Sequence, residues 1–203
     1  MKHFYKIFLI FLYLSPILII LGFITLIVYL IVRRSTILHK HQILERWEVL
    51  IENGQGSAGE IYESIDAALT SVGPPGVSSQ RKEIRAGGIL KSKVYDGLVV
   101  TNPYLGSCRM YVIAYDYGTS LHIAWLLTMQ LGWLKHFVTM NILKVADPRS
   151  LIRYLDIPRE LELSAYVTTV HTATKKAAKA LMERLKQDFS RIDTKSKGFL
   201  EVW

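Results

Sequence analysis

The sequence predicts a single N-terminal transmembrane helix followed by a small α+β domain, in which an antiparallel β-meander of four to five strands packs against long helices. Three observations support this fold class. An uncharged apolar run fills residues 7–32, strand-like segments separated by turn signals fill residues 77–129, and a regular apolar stripe follows residues 160–189. We divide the chain into a tail and anchor (1–36), a juxtamembrane helical pair (37–76) and a head (77–203).

The apolar run from Ile7 to Val32 carries no formal charge. As a helix rising about 1.5 Å per residue, it is long enough to cross a hydrocarbon core of about 30 Å. It exceeds the length of a signal-peptide core, and no small-residue cleavage site follows Val32, so we expect an uncleaved anchor in the lipid bilayer. Basic residues after the run outnumber those before it, which predicts a single-pass protein with a cytoplasmic head.

The formal charge of +8 is concentrated at the N-terminus. The first 41 residues hold five basic residues and no acid, so the remainder carries only +3. Basic residues that flank an apolar span are ordinary topology signals, and we therefore consider a nucleic-acid partner unlikely. Cys108 is the only cysteine, which excludes an intrachain disulfide and a cysteine-based metal cluster.

Helical spacing of Leu44, Trp47 and Leu50 predicts a first helix over residues 37–53. A capping box from Ser57 to Glu60 predicts the start of a second helix, which ends before residues 73–76, Gly-Pro-Pro-Gly. Residues 54–59, GQGSAG, match the G-x-G-x-x-G string of dinucleotide sites. Because that chemistry needs a preceding strand and we expect a helix there, we interpret the string as a turn between helices.

In the head, we predict a strand over residues 80–86, turns at 87–88 and 96–97, and a hairpin of residues 107–116 and 119–129 around Tyr117-Gly118. The uncharged run of residues 117–134 favours a central strand and a buried connection, with a second membrane segment as the open alternative.

After the sheet, we predict helices within residues 148–190, a short one ending at Leu155 and a long one over 160–189, before an apolar tail at 198–203.

The two-residue period of the strand after Ser107 places alternate side chains on opposite faces. One face, with Cys108 and Met110, is predicted to be core. The other combines a cation with aromatic rings, so it either binds a partner or packs under a helix. The apolar tail either adds an edge strand to the head or docks on a partner by strand addition. The candidate partner-binding residues are Arg109, Tyr111, Tyr115, Phe199 and Trp203.

The sequence predicts no catalytic, cofactor-binding or metal-binding residues. His39 and His41 lack the spacing that places two imidazoles on one helical face, and no Gly-x-Ser-x-Gly elbow is present. We therefore predict a membrane-anchored interaction or accessory protein, a scaffold or assembly subunit, that presents its α+β domain to a protein partner. Enzymatic activity stays an open question, because many active sites leave no local motif.

Two alternative functions remain. The first is a membrane-tethered sensor or carrier that holds an apolar or lipid-like ligand near Trp125, Met129 and Trp133. The second is a membrane-tethered hydrolase with a dispersed site that includes His122 or His171.

Overall fold

A computed structural model describes residues 20–23, 25, 36–38, 43–88, 91–106, 108–129, 157–198 and 200–202. The chain forms two compact units, residues 1–37 and 38–203. In the first unit, residues 20–23 and 25 are helical. Among the residues described, no helix is both long enough and apolar enough to span a membrane. Most of the predicted span at 7–32 lies outside the described residues, as does the short helix ending at Leu155. Of the uncharged run at 117–134, residues 120–129 form a strand, as the favoured interpretation predicted, and residues 130–134 are not described.

The second unit is an α+β domain, which confirms that part of the predicted fold class. Its main elements follow one another along the chain as β2 (Ile43–Ile51), α1 (Ala58–Val72), β3 (Ser78–Gly88), β4 (Lys91–Thr101), β5 (Cys108–Tyr117), β6 (Ser120–Met129), α2 (Ile157–Arg184) and β7 (Lys197–Gly198). Short 3-10 helices occupy Pro103–Leu105 and Phe189–Arg191, and a three-residue strand β1 (Thr36–Leu38) lies at the boundary between the units.

Six antiparallel strands of this unit follow one another in the order β3-β4-β5-β6-β2-β7. The four consecutive strands β3 to β6 are the predicted meander. The predicted number of four to five strands is too low, because β2 and β7 extend the sheet beyond β6. Both added strands come from segments that the sequence analysis assigned to a helix and to the tail.

The helix predicted over residues 37–53 is wrong for the segment that the structure describes, because β2 occupies Ile43–Ile51. Trp47, Val49 and Ile51 are buried, whereas Arg46 and the other intervening residues are exposed. The alternation has a period of two, as expected for a strand. Strand β2 pairs with β6, with Trp47 opposite Trp125 and Ile51 opposite Leu121. The same apolar residues fit a helical spacing, and pairing with β6 decides between the two.

Strand β4 is continuous through the predicted turn at residues 96–97. Gly97 lies inside the strand, where an added Cβ would be 2.4 Å from the Cδ1 atom of Ile84 and 2.9 Å from the carbonyl oxygen of Val112. The glycine therefore allows close packing between strands and makes no turn.

Helix α1 covers the segment where the second helix was predicted, but its start differs in detail. Ser57 makes no side-chain capping bond. Glu60 instead pairs with Arg184 of α2 at 2.7 Å, so this carboxylate ties the two helices together. The helix ends at Gly73, whose φ of 56° is left-handed and whose N–H donates to the carbonyl of Leu69.

Both helices pack on one face of the sheet, which we call the helix face. Small buried residues of α2, including Ala173, Ala177 and Ala178, permit a close approach to its neighbours. The core of this face contains Trp47, Val49, Ile51, Ile61, Ile65, Met110, Val112, Leu121, Ile123, Trp125, Leu127, Leu163, Val167 and Val170. At about 25 cal/mol per Å² of buried apolar surface, a core of this size dominates the stability of the domain.

Two tyrosine hydroxyls from the helices reach the backbone between β4 and β5. Tyr62 of α1 accepts from the N–H of Ala114 at 2.7 Å and donates to the carbonyl of Asp96 at 2.6 Å. Tyr166 of α2 accepts from the N–H of Met110 at 3.3 Å and donates to the carbonyl of Val100 at 2.7 Å. Burial raises the pKa of Tyr62 to about 12, so its hydroxyl stays protonated and able to donate.

Removing either hydroxyl is expected to destabilise the domain. Tyr62→Phe and Tyr166→Phe each leave a buried N–H and a buried carbonyl without this partner, which costs about 1–3 kcal/mol. The measurement is urea unfolding of the full-length chain in a mild detergent, followed by tryptophan fluorescence. Tyr104→Phe is the control, since Tyr104 is 67% exposed. Equal stability of all three variants would contradict the assigned role.

Candidate interaction surface

Neither of the two described α-helices packs on the other face of the sheet, which we therefore call the open face, and this face has a small core of its own. Ile84, Val99, Tyr111 and Ile113 are buried there as one cluster, with Tyr95, Tyr115 and Leu126 packed against it. Cys108 and Met110 lie on the helix face, as the two-residue period predicts. The alternation of β5 is therefore confirmed, with buried residues on both faces.

Tyr111, a candidate partner-binding residue, has no exposed surface. Burial raises its pKa, and the positive charge of the nearby Arg109 opposes that shift. Tyr111 is therefore a core residue, but the expected packing under the long helix is wrong, because α2 packs on the other face of the sheet. Arg109 and Tyr115 are half-buried and keep accessible surface. Phe199 and Trp203 lie outside the described residues.

Register brings three rings from three strands into contact on the open face. The ring centroids of Tyr95 and Tyr115 are 5.1 Å apart, and those of Tyr115 and His122 are 5.0 Å apart. Tyr115 and His122 are direct cross-strand partners in the pairing of β5 with β6. We call Tyr95, Tyr115 and His122 the aromatic row. Sequence reasoning missed Tyr95 and named His122 only as a possible catalytic residue, because only the strand register reveals that both neighbour Tyr115.

His122 is the chemically distinctive member of the row. Burial lowers its pKa, and the nearby Glu48 carboxylate opposes that shift. The imidazole is therefore mainly neutral at pH 7. Its Nε2 atom lies 3.7 Å from a carboxylate oxygen of Glu48, which is too far for a hydrogen bond. Its Nδ1 atom is buried and has no hydrogen-bond partner in the described part of the chain.

Exposed apolar side chains flank the row. Leu50 is the cross-strand partner of His122 and is 47% exposed, while Tyr117, at the end of β5, is 68% exposed. Aromatic residues beside apolar ones, with few charges at the centre, are typical of the central part of a protein–protein interface. The arrangement supplies stacking area and one unsatisfied ring nitrogen, and Glu48 contributes a carboxylate at its margin.

His171, the other histidine considered for catalysis, is completely buried in the core of the helix face. Its Nδ1 atom accepts from the indole N–H of Trp125 at 2.9 Å, so the proton of the neutral ring lies on Nε2, which donates to the carbonyl of Thr194 at 2.9 Å. Burial, with a smaller effect from Lys175, lowers its pKa to about 4. Every polar atom of this ring is satisfied, so His171 is a structural residue.

The glycine string at residues 54–59 does follow a strand, so the helix expected before it was a wrong reason for rejecting a dinucleotide site. The loop is nevertheless closed by the protein itself. The N–H of Gly56 donates to the carboxylate of Asp116 at 3.0 Å, and the N–H of Gln55 donates to the carbonyl of Thr119. Both strands that pair with β2 among the described residues are antiparallel to it, whereas a dinucleotide fold needs a parallel sheet.

The C-terminal tail docks on the strand β2 of its own domain. Lys197 and Gly198 of β7 pair with Arg46 and Glu45. The buried Glu45 carboxylate accepts from the hydroxyl of Ser196 and from the N–H groups of Leu200 and Val202. Of the two interpretations of the apolar tail, the described residues form the one in which the tail adds an edge strand to the head.

The described residues contain no group of three or more metal-ligating side chains. Cys108 is buried in the core of the helix face. A comparison with protein-family models, with curated proteins and with solved structures found no match to this chain.

Tyr111→Ala is expected to lower the free energy of unfolding by about 3–5 kcal/mol, because it empties a fully buried aromatic position. Urea unfolding of the full-length chain in detergent measures the loss. Tyr117→Ala on the same strand serves as the control and should change stability by less than about 1 kcal/mol. A Tyr111→Ala variant as stable as the control would show that this side chain is not part of a core.

Burial of His171 predicts a specific dependence of stability on pH. An unfolded histidine titrates near 6.5, whereas the folded ring has a pKa of about 4, so only the unfolded state binds the proton between these values. The free energy of unfolding should therefore fall as the pH is lowered from about 6.5 to 4, by on the order of 3 kcal/mol.

The pH effect is checked by unfolding the wild type and His171→Gln at several pH values between 4 and 7.5. The variant should be less stable at pH 7 and should lack most of the fall at lower pH. His122→Gln is the matched control and should retain it. Parallel pH profiles for the wild type and His171→Gln would assign the effect to other groups.

Proposed function

We propose that this protein is a membrane-anchored interaction or accessory protein that presents its α+β domain to a protein partner through the aromatic row. The observation that carries this proposal is the contact of Tyr95, Tyr115 and His122 on the open face, flanked by the exposed side chains of Leu50 and Tyr117. Rigid aromatic side chains held on strands supply large contact area at a small cost in conformational entropy.

The anchor is part of the same proposal. The uncharged run of residues 7–32 has the length and flanking basic residues of a single transmembrane helix, and the basic residues that follow it favour a cytoplasmic head. An anchor confines the head to the membrane surface, where a partner in or on the same bilayer meets it at a raised effective concentration.

A protein partner fits this surface better than a nucleic acid does. The row itself consists of two tyrosines and a mainly neutral histidine, with the Glu48 carboxylate at its margin, so it offers no cation to a phosphate. The apolar side chains of a protein partner would cover Leu50 and Tyr117, which are exposed beside the row.

The test is site-specific photo-crosslinking in cells that produce the full-length chain. A photoreactive phenylalanine analogue at position 115 should give one dominant crosslinked protein, identified by mass spectrometry. The same analogue at position 104, an exposed tyrosine in the 3-10 helix outside the row, is the control and should not give that product.

Substitutions then test the contribution of the row to affinity. Tyr115→Ala and His122→Ala should weaken retention of the crosslinked partner in a mild-detergent pull-down by about tenfold or more. Tyr104→Ala should leave retention unchanged, and all three variants should keep the unfolding midpoint within a few degrees. Equal retention by Tyr115→Ala and by wild type would reject this surface as the contact.

A hydrolase is the second candidate, favoured by the approach of Glu48 to His122, because a carboxylate beside a neutral imidazole is an arrangement found in general-base catalysis. Turnover of a model ester that is lost in His122→Ala and kept in Tyr115→Ala would favour it over the partner. A carrier function has less support, since Trp125 and Met129 are buried core residues and Trp133 lies outside the described residues.

A further inference from the structure

A shallow cleft lies where the C-terminal tail meets the edge of the sheet. Its walls are residues of β2 and of the tail, and they carry more cationic than anionic side chains. The lining residues are Arg46, Trp47, Glu48, Asp193, Lys195 and Lys197.

Two of these cations are held directly opposite each other. Arg46 of β2 and Lys197 of β7 are cross-strand partners. Direct partners in an antiparallel pair project to the same side of the sheet, and like charges in such positions are destabilising. Gly198 permits this close pairing, because a Cβ there would lie 2.5 Å from the carbonyl oxygen of Leu44.

The acidic groups of the cleft have other contacts. The Asp193 carboxylate accepts from the backbone N–H of Lys195 at 3.1 Å, and Glu48 lies beside His122. Lys195 pairs with Glu201 at 2.5 Å. The ion pairs formed among the described residues include neither Arg46 nor Lys197. Within the described residues the cleft therefore holds two adjacent cations, and neither forms an ion pair with a carboxylate.

We propose that this cleft binds a phosphate-type oxyanion between Arg46 and Lys197. The guanidinium supplies two parallel N–H donors that match two phosphate oxygens, and the ammonium supplies a point charge for the third. Such an anion removes the repulsion between the two side chains. The group is either a free phosphate monoester or the headgroup of an anionic phospholipid, and this proposal does not depend on the aromatic row.

Binding at this position couples to the docking of the tail. The anion bridges β2 and β7, and β7 is held by hydrogen bonds from the tail to Glu45. An anion that binds only the docked tail stabilises the docked state by mass action. We therefore expect phosphate to protect the last ten residues from carboxypeptidase digestion as well as to bind.

The experiment titrates inorganic phosphate into the full-length chain in a neutral detergent at constant ionic strength, with binding measured by calorimetry and tail protection by mass spectrometry. Wild type should bind one phosphate saturably. Arg46→Gln and Lys197→Gln should each weaken binding at least fivefold, and Arg46→Lys should give an intermediate value because it keeps charge without the fork. Lys82→Gln, a charge removal on exposed β3, is the control and should bind like wild type.

Two further probes identify the source of the phosphate. Glycerol 1-phosphate represents a free monoester, and glycerophosphoglycerol represents a phospholipid headgroup. Tighter binding of glycerol 1-phosphate supports the site and assigns a free monoester, and tighter binding of glycerophosphoglycerol supports the site and assigns a phospholipid headgroup. The proposal is overturned by an absence of saturable phosphate binding up to about 20 mM, or by equal affinities of wild type, Arg46→Gln and Lys197→Gln.

Discussion

Both helices make side-chain hydrogen bonds to the backbone of the adjacent strands β4 and β5. Tyr62 and Tyr166 each bridge an N–H of β5 and a carbonyl of β4 through one hydroxyl. A hydroxyl in this role needs its parent helix at a fixed height and rotation, because hydrogen bonds weaken steeply away from about 2.8 Å and linear geometry. Apolar packing brings the helices to the sheet, and these two polar contacts define where along the strands each one stops. The core of the helix face then follows from that placement.

A second set of buried polar groups connects α2, the sheet and the C-terminal tail. His171 lies between the rings of Trp47 and Trp125, at centroid distances of 5.6 and 5.4 Å. It bonds to Trp125 and to the carbonyl of Thr194, while Trp47 donates to the carbonyl of Asp193 at 2.8 Å. One ring thereby links α2, the sheet and the tail. Since every partner is satisfied, this buried polar network specifies a unique arrangement at little net cost.

Local sequence signals were sufficient where an element is strongly periodic or ends at a clear turn. The α1 stripe and the β5–β6 hairpin are of this kind, and both are confirmed. Strand β2 was predicted as a helix because Leu44, Trp47 and Leu50 fit either period, and its pairing with β6 is a contact between distant parts of the chain. The aromatic row could not be predicted for the same reason. The faces of β5 follow from its sequence, whereas the approach of Tyr95, His122 and Glu48 to Tyr115 depends on strand register.

The arrangement of the sheet explains why a partner would use the open face and not the β2 edge. Unpaired edges invite strand addition, but β7 already occupies β2 opposite Glu45 and Arg46. An incoming strand would have to displace a tail whose N–H groups donate to the buried Glu45 carboxylate, which would then lose its partners. The aromatic row needs no such displacement. Its rings rest on the Ile84, Val99, Tyr111 and Ile113 cluster, so they are held rigid before binding, and little side-chain entropy remains to be lost.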